Sequence, residues 1–102
     1  MYRSTTGGYA KMSEVENLID QDGYSLEYVA AKNAKGEDGW GMIVVSPDGE
    51  KYDVVNDTVN SRKIYINAER MYQFIGRMTP DIENITLPML DKYKVKKSSR
   101  KK

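Results

Sequence analysis

The sequence predicts an α+β fold: a three- or four-stranded antiparallel β-meander flanked by an N-terminal and a C-terminal helix, with a disordered basic tail. Three features of the chain predict it. Apolar residues alternate at period two between residues 24 and 55, recur at helical spacing on either side, and nearly vanish in the last eleven residues, which carry seven Lys or Arg. The expected organisation is a flexible arm over 1–11, a single domain over 12–91 and a tail over 92–102.

The opening Ser4-Thr5-Thr6-Gly7-Gly8 has nothing periodic to bury, so the first eleven residues read as an arm. Structure is expected from Ser13, which has capping-box spacing with Glu16. Val15, Leu18 and Ile19 then form a one-sided stripe, and Gly23 can end the helix in the left-handed region. From Tyr24 the period becomes two, with Leu26, Tyr28 and Ala30 on one face of a strand. The run Trp40 to Val45 is β-branched and aromatic, and Ser46-Pro47-Asp48-Gly49 turns it into a returning strand from Lys51 to Val55. Lys63-Ile64-Tyr65-Ile66 reads as a fourth short strand feeding a helix over about 68–78. Asn67 is the expected N-cap of that helix, and Ala68, Met71, Tyr72 and Ile75 its buried stripe. Thr79-Pro80 stops it. Ile82, Ile85, Leu87, Met89 and Leu90 are apolar enough to wrap the domain, and Pro88 keeps them from forming a long helix.

A chain of 102 residues supports one core. With neither cysteine nor histidine, the sequence offers no disulfide, no thiolate nucleophile and no imidazole base or ligand. No signal-like or membrane-spanning run is seen, so a cytoplasmic protein without membrane insertion is expected. Carboxylates supply the remaining chemistry. Asp20-Gln21-Asp22-Gly23 starts like a calcium loop, but the position of its bidentate glutamate falls on Ala31. Glu37 and Asp38 read as a solvated turn, and Asp53 as a member of a cross-strand pair. The glycines from Gly36 to Gly41 link strands and make no phosphate cradle. No cofactor, metal or catalytic residue is expected, and the chain reads as a non-enzyme.

Charge carries the functional reading. The near-neutral total conceals nine Lys or Arg against fifteen Asp or Glu over residues 1–91, a balance of −6, and +7 over residues 92–102. Solvated runs of like charge act as interaction arms. The tail contributes Lys92, Lys94, Lys96, Lys97, Arg100, Lys101 and Lys102 as candidate nucleic-acid-binding residues, and Arg62, Lys63, Arg70 and Arg77 lie at or on the last predicted helix. Tyr65 and Tyr93, beside basic residues, are candidate base-stacking rings. The order helix, meander, helix is similar to that of double-stranded RNA-binding domains, whose final helix opens with phosphate-binding lysines. Here the likeness rests on element order and Ser61-Arg62-Lys63 alone; the rest of a lysine-rich opening is absent, so no family is assigned.

These features suggest a nucleic-acid-binding accessory or regulatory protein whose partner is DNA or RNA, bound with little sequence preference. The alternative is a protein-interaction or inhibitory module of the kind mobile genetic elements encode. Its acidic body would use Asp20, Asp22, Glu37, Asp38, Asp48, Glu50 and Asp57 to engage a basic protein, while the tail could meet an acidic one.

Overall fold

The computed structural model describes residues 8–58 and 61–94. Its elements are β1 (Tyr9–Lys11), α1 (Met12–Asp22), β2 (Ser25–Lys32), β3 (Asp38–Val45), β4 (Lys51–Val55), α2 (Ala68–Met78) and a 3-10 turn (Asp91–Tyr93). The class is α+β, with one four-stranded sheet in the order β1-β4-β3-β2. Strands β2, β3 and β4 form the expected antiparallel meander, tightened at Ser46–Glu50, where Ser46 N–H donates to the Glu50 carbonyl at 2.8 Å.

The wholly antiparallel expectation is corrected. The fourth strand comes from Tyr9–Lys11, inside the stretch read as an arm, and pairs parallel to β4 with Ala10 opposite Val54. Residues 62–66 form no strand of their own. They are extended, with single bridges from Arg62 to Val55 and from Tyr65 to Trp40, and they occupy the gap where β4 diverges from β3. They do not open a helix either, so the likeness to RNA-binding domains loses the residues on which it rested.

α1 ends where expected: Gly23 at φ 75° turns the chain, and Tyr24 N–H returns to the Leu18 carbonyl at 3.0 Å. Its start differs. Lys11 is the N-cap, its N–H donating to Glu14 Oε1 at 2.9 Å, while Ser13 lies inside the helix and its N–H donates to Asp57 Oδ1 at 2.9 Å. A carboxylate after β4 thus supplies the negative group that a helix N-terminus favours. Asn67 caps α2 as predicted, accepting from Arg70 N–H at 3.0 Å. The buried face of α2 is Met71, Phe74, Ile75 and Met78, one step round from the predicted stripe, which leaves Tyr72 60% exposed.

The core lies between one sheet face and the two helices. Trp40, Met42 and Val44 of β3 and Val54 of β4 meet Val15 of α1 and the buried face of α2, and Leu90 closes one end. The opposite face carries Ile43, Val55 and Asp53, all buried. Residues 62–66 reach over it: a Cβ on Gly39 would come within 2.6 Å of both the Tyr65 carbonyl and Ile64 Cγ2, and one on Gly41 within 2.9 Å of Arg62 Cδ. Both faces of β3 are therefore covered, which is why it reads as a continuous apolar run rather than an alternating one. Among the described residues, no helix is long and apolar enough to cross a membrane.

Candidate nucleic-acid interface

The predicted basic residues divide according to the geometry of an extended chain. Successive side chains between 62 and 66 point to opposite sides. Arg62 and Ile64 turn to the glycine-lined sheet face, while Lys63 and Tyr65 turn toward α2. Sequence neighbours Arg62 and Lys63 thereby part company.

Arg62 is committed to the fold. Its Nη2 donates to Asp53 Oδ1 at 2.5 Å; Asp53 is fully buried and the arginine side chain only 16% exposed. A carboxylate without solvent needs a charge partner, and an arginine at such a site is poorly placed to reach a phosphate. The expected cross-strand partner of Asp53 is thus replaced by a residue from the crossing segment. Lys51, beside Asp53 in sequence, pairs with Glu27 on β2 at 3.3 Å.

Lys63 and Arg77 gather around two rings. Lys63 Nζ stands 5.0 Å from the Tyr65 ring centroid, Tyr65 packs against Phe74 at 5.4 Å, and the Arg77 guanidinium lies 5.5 Å from the Phe74 centroid. Burial raises the Tyr65 hydroxyl above its ordinary range and the nearby Arg77 charge partly offsets this, so the phenol remains a protonated hydrogen-bond donor at neutral pH. Arg70, two turns before Arg77 on the same side of α2, is exposed. Among the described residues, neither Arg70 nor Arg77 has a carboxylate within 4 Å.

The root of the tail is fastened beside this group. Lys92 Nζ donates to the Ile66 carbonyl at 2.9 Å, two residues before α2 begins, and Lys92 N–H donates to Asp38 Oδ2 at 3.1 Å. Asp38 also pairs with Lys32, whose hydrogen bond holds the Asp38 carboxyl below its ordinary value. Tyr93 stacks on Trp40 with centroids 6.3 Å apart, and Trp40 Nε1 donates to the Pro88 carbonyl at 2.9 Å. Lys94 pairs with Asp91 at 3.1 Å. Lys96, Lys97, Arg100, Lys101 and Lys102 lie outside the described residues. The cations brought to one region are therefore Lys63, Arg70, Arg77 and Lys92, while Arg62 faces the other side of the sheet.

Several of the acidic candidates are held by partners within the fold. Asp57 caps α1, Asp38 holds Lys32 and Lys92, Glu37 accepts from Asn33 Nδ2 at 2.8 Å, and Glu50 accepts from the Tyr52 hydroxyl at 2.8 Å. Asp20, Asp22 and Asp48 remain exposed, the first two at the end of α1 and the third in the β3–β4 turn. Among the described residues, no three acidic side chains converge as a metal site requires.

A feature absent from the sequence reading lies along β2. A groove of about 800 Å³ runs between residues 24–28, at the start of β2, and the strap over residues 79–86. The signal was present in the apolar alternation of Tyr24, Leu26 and Tyr28 and in the spacing of Ile82 and Ile85. What was hidden is that Ile82 stays 52% exposed, short of closing against β2.

Fold and surface together define a small α+β domain with a fastened, cationic C-terminal root. The chain matches no protein-family model, no curated protein and no solved structure.

Proposed function

We propose that this chain is a non-enzymatic nucleic-acid-binding accessory protein. It would hold a phosphate backbone between the exposed cations of α2 and its basic tail. The observation that carries this reading is the bond from Lys92 Nζ to the Ile66 carbonyl, because it starts the tail at the N-terminal end of the helix that bears Arg70 and Arg77. Lys63 and Arg77 extend the positive track, and the exposed ring of Tyr93 lies at its tail end. Such a surface recognises charge and backbone spacing, not base edges, so binding depends steeply on salt and only weakly on sequence.

A mobility-shift titration of the full chain against single- and double-stranded 20-mers at several salt concentrations tests it. The logarithm of the binding constant is expected to fall linearly with log salt, by roughly 0.9 per phosphate contacted on duplex DNA. Replacing Arg70 and Arg77 with Gln should reduce that slope by roughly 1.8, and replacing the five cations beyond Lys94 with Gln should reduce it further. Arg62→Gln is excluded as a binding probe because it removes a charge partner of the buried Asp53. Absence of binding at about 50 mM salt, or a slope indifferent to both sets of substitutions, overturns the reading.

A further inference from the structure

We propose that the outer edge of β2 and the groove beside it bind an extended, lysine- or arginine-rich segment of a partner protein by strand addition, with apolar residues at alternate positions of that segment. The edge is identified by hydrogen bonding. Trp40 exchanges both backbone bonds with Tyr65, N–H to carbonyl at 2.8 and 2.9 Å, so its polar groups point away from β2. Its partner across the β2–β3 ladder is Ala30, and such a pair is a non-hydrogen-bonded one, in which both residues turn their N–H and C=O outward. Alternation carries the same orientation to Tyr28 and Leu26. β2 is the last strand of the sheet, and among the described residues no backbone hydrogen bond from another segment reaches these three groups. An open edge of this length is what strand-adding ligands recognise.

The chemistry of the groove selects the ligand. Leu26 and Tyr28 face the core side, opposite Val44 and Met42, and look across the groove to Ile82 and Ile85. An added strand would place every second side chain on this apolar floor. Its intervening side chains would lie on the other sheet face, beside Glu27, which is on the side of Ile43. Asp20, Glu27 and Asp81 contribute to the lining and no Lys or Arg does, although Glu27 also meets Lys51 at 3.3 Å. Asp20 and Asp81 have no cation within 4 Å among the described residues, and with Glu27 they set a negative field around an apolar floor and a row of outward donors and acceptors, which suits a segment that alternates cationic and apolar residues. They repel a nucleic acid, so this surface is separate from the phosphate-binding one.

The test uses the full chain and a capped heptapeptide alternating lysine and valine. Amide hydrogen exchange at Leu26, Tyr28 and Ala30 is expected to slow at least about tenfold on binding, because those N–H groups become ladder donors. Asp20→Lys with Asp81→Lys should weaken binding about tenfold or more. Ala30→Pro, on an exposed edge position whose N–H points outward, should keep the melting temperature while removing one of the three edge donors and weakening binding. Equal binding by heptalysine, or by the same peptide N-methylated at alternate residues, overturns the proposal, as does unaltered exchange at the three amides. If these amides are already slow in the free chain, and speed up when the five cations beyond Lys94 become Gln, the groove belongs to the chain's own tail and the partner assignment is wrong.

Discussion

The two faces of β3 are buried by opposite means. One face, Trp40, Met42 and Val44, is covered by side chains of two helices in an apolar core. The other, Gly39, Gly41 and Ile43, is covered by a crossing segment that approaches within contact of the glycines and lays Arg62 toward the buried Asp53. Burial is equal and its chemistry is not. The apolar face is stabilised by area removed from water, the crossed face by close approach and the desolvated pairing of Arg62 with Asp53. A cation read from the sequence as a ligand contact is therefore a structural one when its neighbour in space is a carboxylate that solvent cannot reach.

The largest effects separate the two faces directly. Met42→Ala leaves a cavity and is expected to cost about 2–5 kcal/mol. Arg62→Ala removes a charge partner of the buried Asp53 and should cost about 3–5 kcal/mol. The same loss on both faces would look alike, but Arg62→Met combined with Asp53→Leu should return stability to within about 1 kcal/mol of the parent or better. Urea unfolding of all four proteins measures this, and a double variant as weak as Arg62→Ala would mean the ion pair is not the cost. A smaller effect sharpens the close-approach half of the comparison. Gly39→Ala drives a methyl against the Tyr65 backbone and should cost about 2–3 kcal/mol, whereas Gly41→Ala meets the flexible Arg62 chain and should cost about 1 kcal/mol. Equal melting temperatures for the two variants would refute that distinction.

The smallest effect is a pH dependence at the edge of both faces, where Asp38 holds Lys32 and the Lys92 N–H. The Lys32 hydrogen bond depresses the Asp38 carboxyl in the folded chain, so the unfolded chain binds its proton first as pH falls. The contribution is therefore complete at neutral pH and is lost as pH drops below the ordinary carboxylate range and through the lower folded value. The single tryptophan, Trp40, stacks under Tyr93 and reports the release. Its emission should shift on acidification in the parent and show a weaker acid transition in Asp38→Asn.

Much of the fold was legible because its signals are local. Ser46-Pro47-Asp48-Gly49 marked the hairpin, Asn67 marked the start of α2 and Gly23 the end of α1, each through a preference of its own backbone. β1 was not legible, since three residues pairing parallel with β4 owe their state to a partner far along the chain. The α2 stripe was misplaced by one step because Tyr72 and Phe74 both fit an apolar face, and only packing against Tyr65 selects Phe74. In the candidate interface, charge singled out Arg70, Arg77 and Lys92 as candidates. It could not separate Lys63 from Arg62, a distinction that depends on which way each side chain leaves an extended backbone. The groove beside β2 escaped notice for a related reason: an open strand edge is a property of sheet order, which residue types do not encode.

The parallel seat of β1 also has a consequence for the order in which the molecule should assemble. The β2–β3–β4 meander is made of neighbours in sequence, whereas α1 is tied to the far side of β4 by the Ser13–Asp57 bond across 44 residues, with β1 joined to the same strand. Closing that loop is entropically unfavourable until β4 is already in place. During synthesis, then, β1 should leave the ribosome ahead of the meander yet find its position after it, waiting for a template completed more than forty residues later.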